Sequence, residues 1–127
     1  MKQKKILVVE DSPFMQAIIK KILTKLKHNV DIVSSGTEAI NVIAEGNYDL
    51  ILLDCQLPIL SGYEVAAEIR DREKKKYIKY RNIIIACTAN SMEGDRQRCI
   101  DSGMDDHIVK PVTESVINSI LHKWLDN

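Results

Sequence analysis

Short, continuously apolar runs alternate with longer segments of helical period along this chain, and this alternation restricts the possible folds more than any other feature. Four of the runs cover residues 6–9, 50–53, 83–86 and 108–109. A strand that is apolar at successive positions is typical of a parallel sheet whose two faces are both covered by helices. The alternation therefore predicts an α/β fold with right-handed crossovers between parallel strands.

The segments between the runs carry the start and stop signals of helices. Each start pairs a capping side chain with a following apolar face of three- and four-residue spacing. At Ser35 and Ser61 a glutamate follows three residues later, which predicts a capping box. Candidate stops are Asn29, Gly46 and Gly103. Helices are predicted to begin near Ser12, Ser35, Ser61, Asn90 and Thr113.

Five strands result, and each is followed by a helix. Five are too few for an eight-stranded barrel. The best remaining solution is a flavodoxin-like, doubly wound (βα)5 fold with a parallel sheet of order 2-1-3-4-5, occupying residues 1–127 as a single domain. In that order, ligands bind in the crevice at the carboxyl ends of strands 1 and 3. The strands are predicted near residues 4–10, 29–33, 49–54, 82–88 and 106–109.

Composition narrows the class of partner and the compartment. The formal net charge is zero, which gives no global reason to expect nucleic acid or an acidic membrane surface as partner. No apolar run reaches the roughly 18–20 residues that span a bilayer, so membrane insertion is not expected. The first residues lack the features of a secretory signal, and the three cysteines lack CxxC spacing. These features predict a cytoplasmic protein with reduced thiols.

Polar groups follow four of the apolar runs. Glu10 and Asp11 follow the run at residues 6–9, and Asp54 follows the run at 50–53. Thr88 comes two residues after the run at 83–86, and Lys110 follows the run at 108–109. Each group alone is an ordinary surface or turn residue. Because the carboxyl ends of parallel strands lie at one edge of the sheet, these residues are expected to face a common point.

Three carboxylates in one cleft repel one another and favour a bound cation. Mg²⁺ is the natural candidate, because it is a hard ion that prefers oxygen ligands and retains waters. A hydroxyl and an ammonium group on the other side suit the oxygens of a phosphoryl group. Asp54, on the central strand, is the candidate nucleophile for an aspartyl phosphate.

Two other classes of protein remain as alternatives. A phosphatase or phosphotransferase of the haloacid-dehalogenase type also uses an aspartyl nucleophile after a strand. That class needs a second acid two residues later, where this chain has Gln56. A flavin- or nucleotide-binding module of the same fold would need a Gly-rich or Ser/Thr-rich loop after strand 1, where the chain has two acids.

Three segments resemble the receiver domain of two-component response regulators. Residues 53–62 are similar to its phosphorylation loop, residues 87–90 to its conserved-threonine segment and residues 103–111 to its Lys-Pro signature. Residues 89–95 are similar to receivers of hybrid sensor histidine kinases in particular. The resemblance covers essentially the whole chain.

The resemblance implies a role for each acid. Asp54 would accept a phosphoryl group from a phosphohistidine on a partner. Asp11 would bind Mg²⁺ directly and Glu10 through water, and the backbone carbonyl of Gln56 would complete the protein ligands. Mn²⁺ would be a possible substitute for Mg²⁺.

The resemblance also implies roles on the neighbouring strands. Thr88 would hydrogen-bond one phosphoryl oxygen, and Lys110 would form an ion pair with another. Ala89 would leave the phosphoryl group accessible because its side chain is small. The bond between Lys110 and Pro111 would be cis, which an X-Pro bond tolerates at modest cost.

The implied function is a phosphorylation-controlled signalling module rather than an enzyme, with only self-phosphorylation and slow autodephosphorylation expected. Its phosphodonor would be a histidine kinase or a histidine phosphotransfer domain. The helix 4–strand 5–helix 5 face would report the change to a downstream protein or an attached domain, with no direct nucleic-acid contact. If the domain comes from a membrane-bound hybrid kinase, it would be part of the cytoplasmic region.

Three positions depart from the pattern of the family. The family usually has Met at Leu57 and Asp or Asn at Ser61, and Ser61 can still cap its helix. His107 occupies the position of an aromatic switch residue that is commonly Tyr or Phe. Imidazole is smaller and more polar, so the coupling of phosphorylation to the output face is expected to be weaker or pH-sensitive, unless His107 is only a surface variant.

The remaining polar features favour structural interpretations. Residues 70–81 hold seven basic and two acidic residues, typical of a solvated helix end and loop. The alternative is an electrostatic contact with an acidic partner or with a neighbouring domain of a longer natural chain. Cys55 is expected to pack in a strand. His28 and His122 are predicted to be surface residues.

Overall fold

The computed structural model describes residues 1–89 and 93–126, and within them five parallel strands form one sheet flanked by five helices. The sheet order is β2-β1-β3-β4-β5, which confirms the predicted flavodoxin-like fold. The strands are β1 (Lys5–Val9), β2 (Asn29–Val33), β3 (Leu50–Asp54), β4 (Ile84–Thr88) and β5 (Asp106–Val109). The helices are α1 (Pro13–Lys25), α2 (Gly36–Glu45), α3 (Gly62–Lys74), α4 (Glu93–Asp101) and α5 (Glu114–Leu125).

Strand register brings the carboxyl ends of the central strands together. In the β3–β4 ladder Asp54 pairs with Cys87, and in the β4–β5 ladder Thr88 pairs with Val109. The first residue beyond β5 is Lys110. The groups that follow separate apolar runs in the sequence therefore share one sheet edge.

The core lies on both faces of the sheet, which explains why its central strands are apolar at every position. On one face, alternate residues such as Leu7 and Leu53 pack against α2, α3 and Cys99 of α4. On the other face, residues such as Val8 and Leu52 pack against α1 and α5. No helix in the described ranges is long and apolar enough to cross a membrane.

The N-caps predicted at Ser12, Ser61 and Thr113 form, whereas the capping box predicted at Ser35 forms only in part. The Ser61 side chain accepts the Glu64 N–H at 3.2 Å, and the Glu64 carboxylate accepts the Ser61 N–H at 3.1 Å, which completes a capping box. Ser35 accepts the Glu38 N–H at 3.2 Å, but Glu38 contacts the Ser35 hydroxyl. Gly103 ends α4 with φ +96°. The helix start predicted at Asn90 lies outside the described residues.

The predicted stop of α1 at Asn29 is wrong. Lys27 takes the left-handed conformation, with φ 68°, and Asn29 is already the first residue of β2. The Lys27 N–H donates to the Thr24 carbonyl at 2.9 Å, and the His28 N–H donates to the Leu23 carbonyl at 3.0 Å. This pair of bonds is a Schellman motif, which satisfies the last carbonyls of the helix.

His28 is buried rather than on the surface, which corrects a second prediction. Its side chain is 9% exposed, and Nδ1 accepts the backbone N–H of Lys4 at 3.0 Å. Burial lowers the pKa of His28, and the positive charges of the N-terminus and Lys4 lower it further. The ring therefore serves as a neutral acceptor that joins the end of α1 to the start of β1.

Candidate functional site

Three carboxylates meet at the carboxyl edge of the sheet. Glu10, Asp11 and Asp54 each place one oxygen within 4.8 Å of the others. Glu10 and Asp54 are buried, at 3% and 4% exposure, and Asp11 is exposed. This group of two buried acids and one solvent-facing acid is named here the acidic depression.

Local backbone bonds hold Glu10 in the depression. The Glu10 N–H donates to the Val33 carbonyl at 3.1 Å, and one Glu10 carboxylate oxygen accepts the Ser12 N–H at 3.0 Å. The Gln16 side-chain amide donates to the Glu10 carbonyl at 2.6 Å and to Ser34 Oγ at 3.1 Å. Gln16 was not singled out in the sequence, because a polar residue six positions from Glu10 carries no local signal.

The Asp54 carboxylate is oriented by two donors. Its Oδ1 accepts the Gln56 N–H at 3.0 Å and lies 3.2 Å from Lys110 Nζ. Lys110 Nζ also lies 3.6 Å from Glu10 Oε1, so one ammonium group serves two buried acids.

The negative charge of the carboxylate cluster is only partly balanced by the ammonium group of Lys110. Burial raises the pKa of Glu10, and the nearby Asp54 charge adds to the rise, against the opposing effects of the Ser12 N–H and Lys110. Burial by itself would lower the pKa of Lys110, but the carboxylates of Asp54 and Glu10 outweigh it and raise that pKa. One ammonium group therefore contacts the two buried acids, whereas the cluster holds three carboxylates.

The loop after β3 passes very close to Asp54, and Gly62 makes this possible. The Gly62 N–H donates to the Cys55 carbonyl at 3.1 Å. A Cβ atom on Gly62 would stand 2.3 Å from the Asp54 carbonyl oxygen and 2.8 Å from Cys55 Cα. Backbone atoms cannot yield as side chains do, so this position requires glycine.

The other predicted residues lie on β4 and β5 and around their ends. Thr88 is buried as the last residue of β4, and its carbonyl accepts the Lys110 N–H at 2.7 Å. Ala89 follows and is exposed. The peptide bond between Lys110 and Pro111 is cis.

His107 lies beside Asp106 and is not part of the carboxylate cluster of Glu10, Asp11 and Asp54. Its side chain is 27% exposed, and its Nδ1 is 3.8 Å from Asp106 Oδ1. Burial would raise the pKa of Asp106, but hydrogen bonds from Lys123, Trp124 and the His107 backbone N–H outweigh it and lower that pKa. Trp124 Nε1 donates to Asp106 Oδ2 at 2.9 Å, which joins α5 to the start of β5.

The cysteines near the site are packing residues. Cys55 and Cys87 are buried, and burial raises the pKa of each thiol to about 12. A thiol with such a pKa is almost entirely protonated at neutral pH and is therefore a poor nucleophile.

The donor set fits a hard divalent cation. Its oxygens come from carboxylates on two adjacent strands, and the buried Glu10 is the kind of group whose charge a cation stabilises. Soft thiolate ligands are not in the cluster of described residues. The arrangement defines an α/β protein with an acidic edge whose oxygens suit a divalent cation, and the same edge carries a lysine and a threonine.

Comparison with known proteins places this arrangement in a family. The family model described as "response regulator receiver domain" matches residues 6–122. The chain therefore belongs to the response regulator receiver domain family, the signalling modules of phosphorelay two-component systems. The haloacid-dehalogenase alternative finds no support among the relatives.

The relatives of known sequence include hybrid signal transduction histidine kinases. Hybrid signal transduction histidine kinase L of Dictyostelium discoideum is 41% identical over 126 residues, which are 97% of this chain and 7% of the kinase. The aerobic respiration control sensor protein ArcB of Escherichia coli is 31% identical, over 95% of this chain and 15% of the sensor. The chain thus spans only a small part of the relatives that it matches.

Solved structures agree with the fold and the family. The receiver domain of sensor histidine kinase PA1611 from Pseudomonas aeruginosa has a TM-score of 0.85 and 37% identity, covers 99% of this chain and 100% of its own, and holds a magnesium ion in its active-site cleft. The receiver domain of Ssk1 from Saccharomyces cerevisiae, in complex with the phosphotransfer protein Ypd1, has a TM-score of 0.90 and 35% identity, with 96% and 88% coverage.

Proposed function

We propose that Asp54 is the phosphoacceptor of this receiver domain and takes its phosphoryl group from a phosphohistidine. The observation that carries the proposal is the Asp54 carboxylate, which lies on the central strand within 4.8 Å of two further acids and 3.2 Å from Lys110 Nζ. A carboxylate oxygen of Asp54 attacks phosphorus while the phosphorus–nitrogen bond to the donor histidine breaks. The released imidazole takes up a proton.

Mg²⁺ is proposed as the cofactor, held by Glu10, Asp11, Asp54 and the backbone carbonyl of Gln56, with Mn²⁺ as a possible substitute. A bound divalent cation supplies positive charge that offsets the repulsion between an incoming phosphoryl group and three carboxylates. Support comes from the carboxylate cluster and from the magnesium-bound PA1611 receiver.

Thr88 and Lys110 are proposed to bind the transferred group. The Lys110 ammonium group now contacts Asp54, and it can pair with a phosphoryl oxygen once Asp54 is phosphorylated. Thr88, at the end of the adjacent strand, would donate its hydroxyl to another oxygen, and Ala89 would leave room for the group. The new contacts of Thr88 and Lys110 with the phosphoryl group would change the α4–β5–α5 face. His107 on β5 would transmit the change from the site to that face.

The proposed donor is a histidine kinase or a histidine phosphotransfer domain. Two exposed apolar side chains near the depression suit a protein partner: Phe14 at the start of α1 is 73% exposed, and Ile59 in the loop after β3 is fully exposed. The complex of Ssk1 with Ypd1 supports a phosphotransfer partner for a receiver of this type. Output would pass to a downstream protein or an attached domain, in the cytoplasm or the cytoplasmic part of a hybrid kinase.

Incubation with acetyl phosphate and Mg²⁺, followed by intact-mass measurement, tests the assignment. The expected result is a gain of one phosphoryl group that Asp54→Asn abolishes and that slowly disappears after the donor is removed. Asp101→Asn, which changes an exposed aspartate on α4, is the matched control and should be phosphorylated normally. An adduct that persists in Asp54→Asn contradicts the proposal, and sustained hydrolysis of small phosphate esters would favour the phosphatase alternative.

A further inference from the structure

The stretch that begins with the last residue of α3 and leads towards β4 concentrates positive charge in a chain whose net charge is zero. Residues 74–81 read Lys-Lys-Lys-Tyr-Ile-Lys-Tyr-Arg and contain five basic residues and no acid. This segment, named here the 74–81 loop, precedes β4 and therefore lies at the amino edge of the sheet, opposite Asp54.

The 74–81 loop has a defined conformation. Ile78 is 3% exposed and belongs to the core on the α2–α3 face of the sheet. The N–H groups of Tyr77 and Ile78 both donate to the Arg72 carbonyl, at 2.9 and 3.1 Å. The Asn82 side chain donates to the Tyr80 carbonyl at 3.1 Å. Binding through this loop would therefore cost little backbone entropy.

The side chains that flank Ile78 point into solvent. Tyr77 is 70% exposed and Tyr80 is 61% exposed. Lys74, Lys76 and Lys79 are exposed, and within the described part of the chain none of them has an ion-pair partner.

The other two cations of the loop are paired. Lys75 pairs with Asp71 at 2.9 Å, and Arg81 pairs with Asp105 at 2.6 Å. Three lysines and two tyrosine rings therefore remain available to a partner, on a loop that is already folded.

We propose that the 74–81 loop is a peripheral docking site for an anionic lipid bilayer. Lysine clusters are attracted to the negative surface potential of anionic leaflets, and exposed tyrosine rings suit the headgroup layer. Protein interfaces are instead depleted in lysine and enriched in arginine, which disfavours an acidic protein as the occupant. No insertion of a helix is involved.

The orientation of the bound domain follows from the fold. The amino ends of all five strands lie at the edge that carries the 74–81 loop, and Lys2 and Lys4 precede β1 at this same edge. A domain bound in this way keeps Asp54 and its acidic neighbours facing away from the lipid. Membrane docking and phosphoryl chemistry are therefore separable, and docking does not depend on the function proposed for Asp54.

Co-sedimentation with vesicles tests the proposal. The probe is large vesicles of phosphatidylcholine with about a third phosphatidylserine, compared with phosphatidylcholine alone, and each lysine near an anionic surface is assigned about 1 kcal/mol. Lys76→Gln/Lys79→Gln should weaken binding about 30-fold, since two such losses multiply. Lys20→Gln/Lys21→Gln changes two exposed lysines on α1, removes the same charge and should leave binding almost unchanged.

Two further measurements separate the possible outcomes. Tyr77→Ser/Tyr80→Ser should reduce binding, and raising the salt concentration to about 0.5 M should abolish it by screening. The proposal is overturned if the wild-type chain ignores anionic vesicles at low salt, or if both lysine variants lose binding equally. Retention by polyglutamate without any vesicle binding would assign the loop to an acidic protein instead.

Discussion

Replacement of Lys110 by methionine isolates the role of the one ammonium group in the acidic depression. Lys110 Nζ lies 3.2 Å from Asp54 Oδ1 and 3.6 Å from Glu10 Oε1, and its side chain is 23% exposed. At an effective dielectric of about 20, each pair contributes an attraction of about 5 kcal/mol before the cost of desolvation. Breaking a buried pair by removing one partner typically costs about 3–5 kcal/mol. Because Lys110 is partly exposed, Lys110→Met should lower the free energy of unfolding by about 3 kcal/mol, the lower end of that range.

Added Mg²⁺ should reduce this loss. The variant lacks the positive charge that opposes a cation beside Asp54, so Mg²⁺ should bind it more tightly than the wild type. A tenfold gain in affinity restores about 1.4 kcal/mol at saturating metal. The difference in the free energy of unfolding should therefore fall from about 3 to about 1.5 kcal/mol.

Urea denaturation with EDTA and then with saturating Mg²⁺ measures both quantities. In thermal melts of this 127-residue chain, about 3 kcal/mol corresponds to roughly 11 °C. Lys123→Met is the matched control, because Lys123 pairs with Asp106 at 2.8 Å but is 64% exposed. It should cost under about 1 kcal/mol, independently of Mg²⁺. Equal losses in the two variants, or a Lys110→Met loss that Mg²⁺ leaves unchanged, would refute the reasoning.

Three further predictions concern the surroundings of the site. Gly62→Ala should lower the free energy of unfolding by about 3 kcal/mol or more, because the added Cβ would overlap the Asp54 backbone. Gly94 has open space around it, so Gly94→Ala should raise the free energy of unfolding by about 0.5–1 kcal/mol in the same urea titration. Burial raises the pKa of Glu10 from 4.5, so Mg²⁺ affinity measured by calorimetry should begin to weaken on acidification at a higher pH than for an ordinary glutamate. Glu10→Gln should shift this loss of affinity to lower pH, where Asp11 and Asp54 take up protons. The pKa of His28 is lowered in the folded chain, so just below pH 6.5 only the unfolded chain takes up a proton at this residue. The free energy of unfolding should therefore fall as the pH drops through this range. His28→Asn, which keeps a hydrogen-bond acceptor, should flatten this pH profile.

The element order and the location of the site follow from local sequence patterns. Continuously apolar runs predicted the strands of the central sheet, because such strands need cover on both faces, and the structure has them in the predicted order. The carboxylates were expected to meet because residues that follow parallel strands share an edge, and Glu10, Asp11 and Asp54 do lie together. The capping box at Ser61 is equally local, since its two bonds join residues three positions apart.

Burial and long-range pairing decided what the patterns could not. Asn29 looked like a helix stop because asparagine tolerates left-handed backbone, but it pairs with Lys5 in the strand that was predicted near residues 29–33. The helix stop therefore falls two residues earlier, at Lys27. His28 looked exposed because it lies near a helix end, yet the Lys4 backbone needs an acceptor there.

The sequence by itself determined which residues could bind a cation and a phosphoryl group, because hydropathy periodicity and strand ends depend on residues that are close together along the chain. Only the tertiary structure decided the electrostatic balance among them. One ammonium group lies between Glu10 and Asp54, and that distance depends on how β1, β3 and β5 pack rather than on spacing along the chain. The same holds for the 74–81 loop, where two of the five cations form ion pairs in the folded chain and the other three have no ion-pair partner among the described residues.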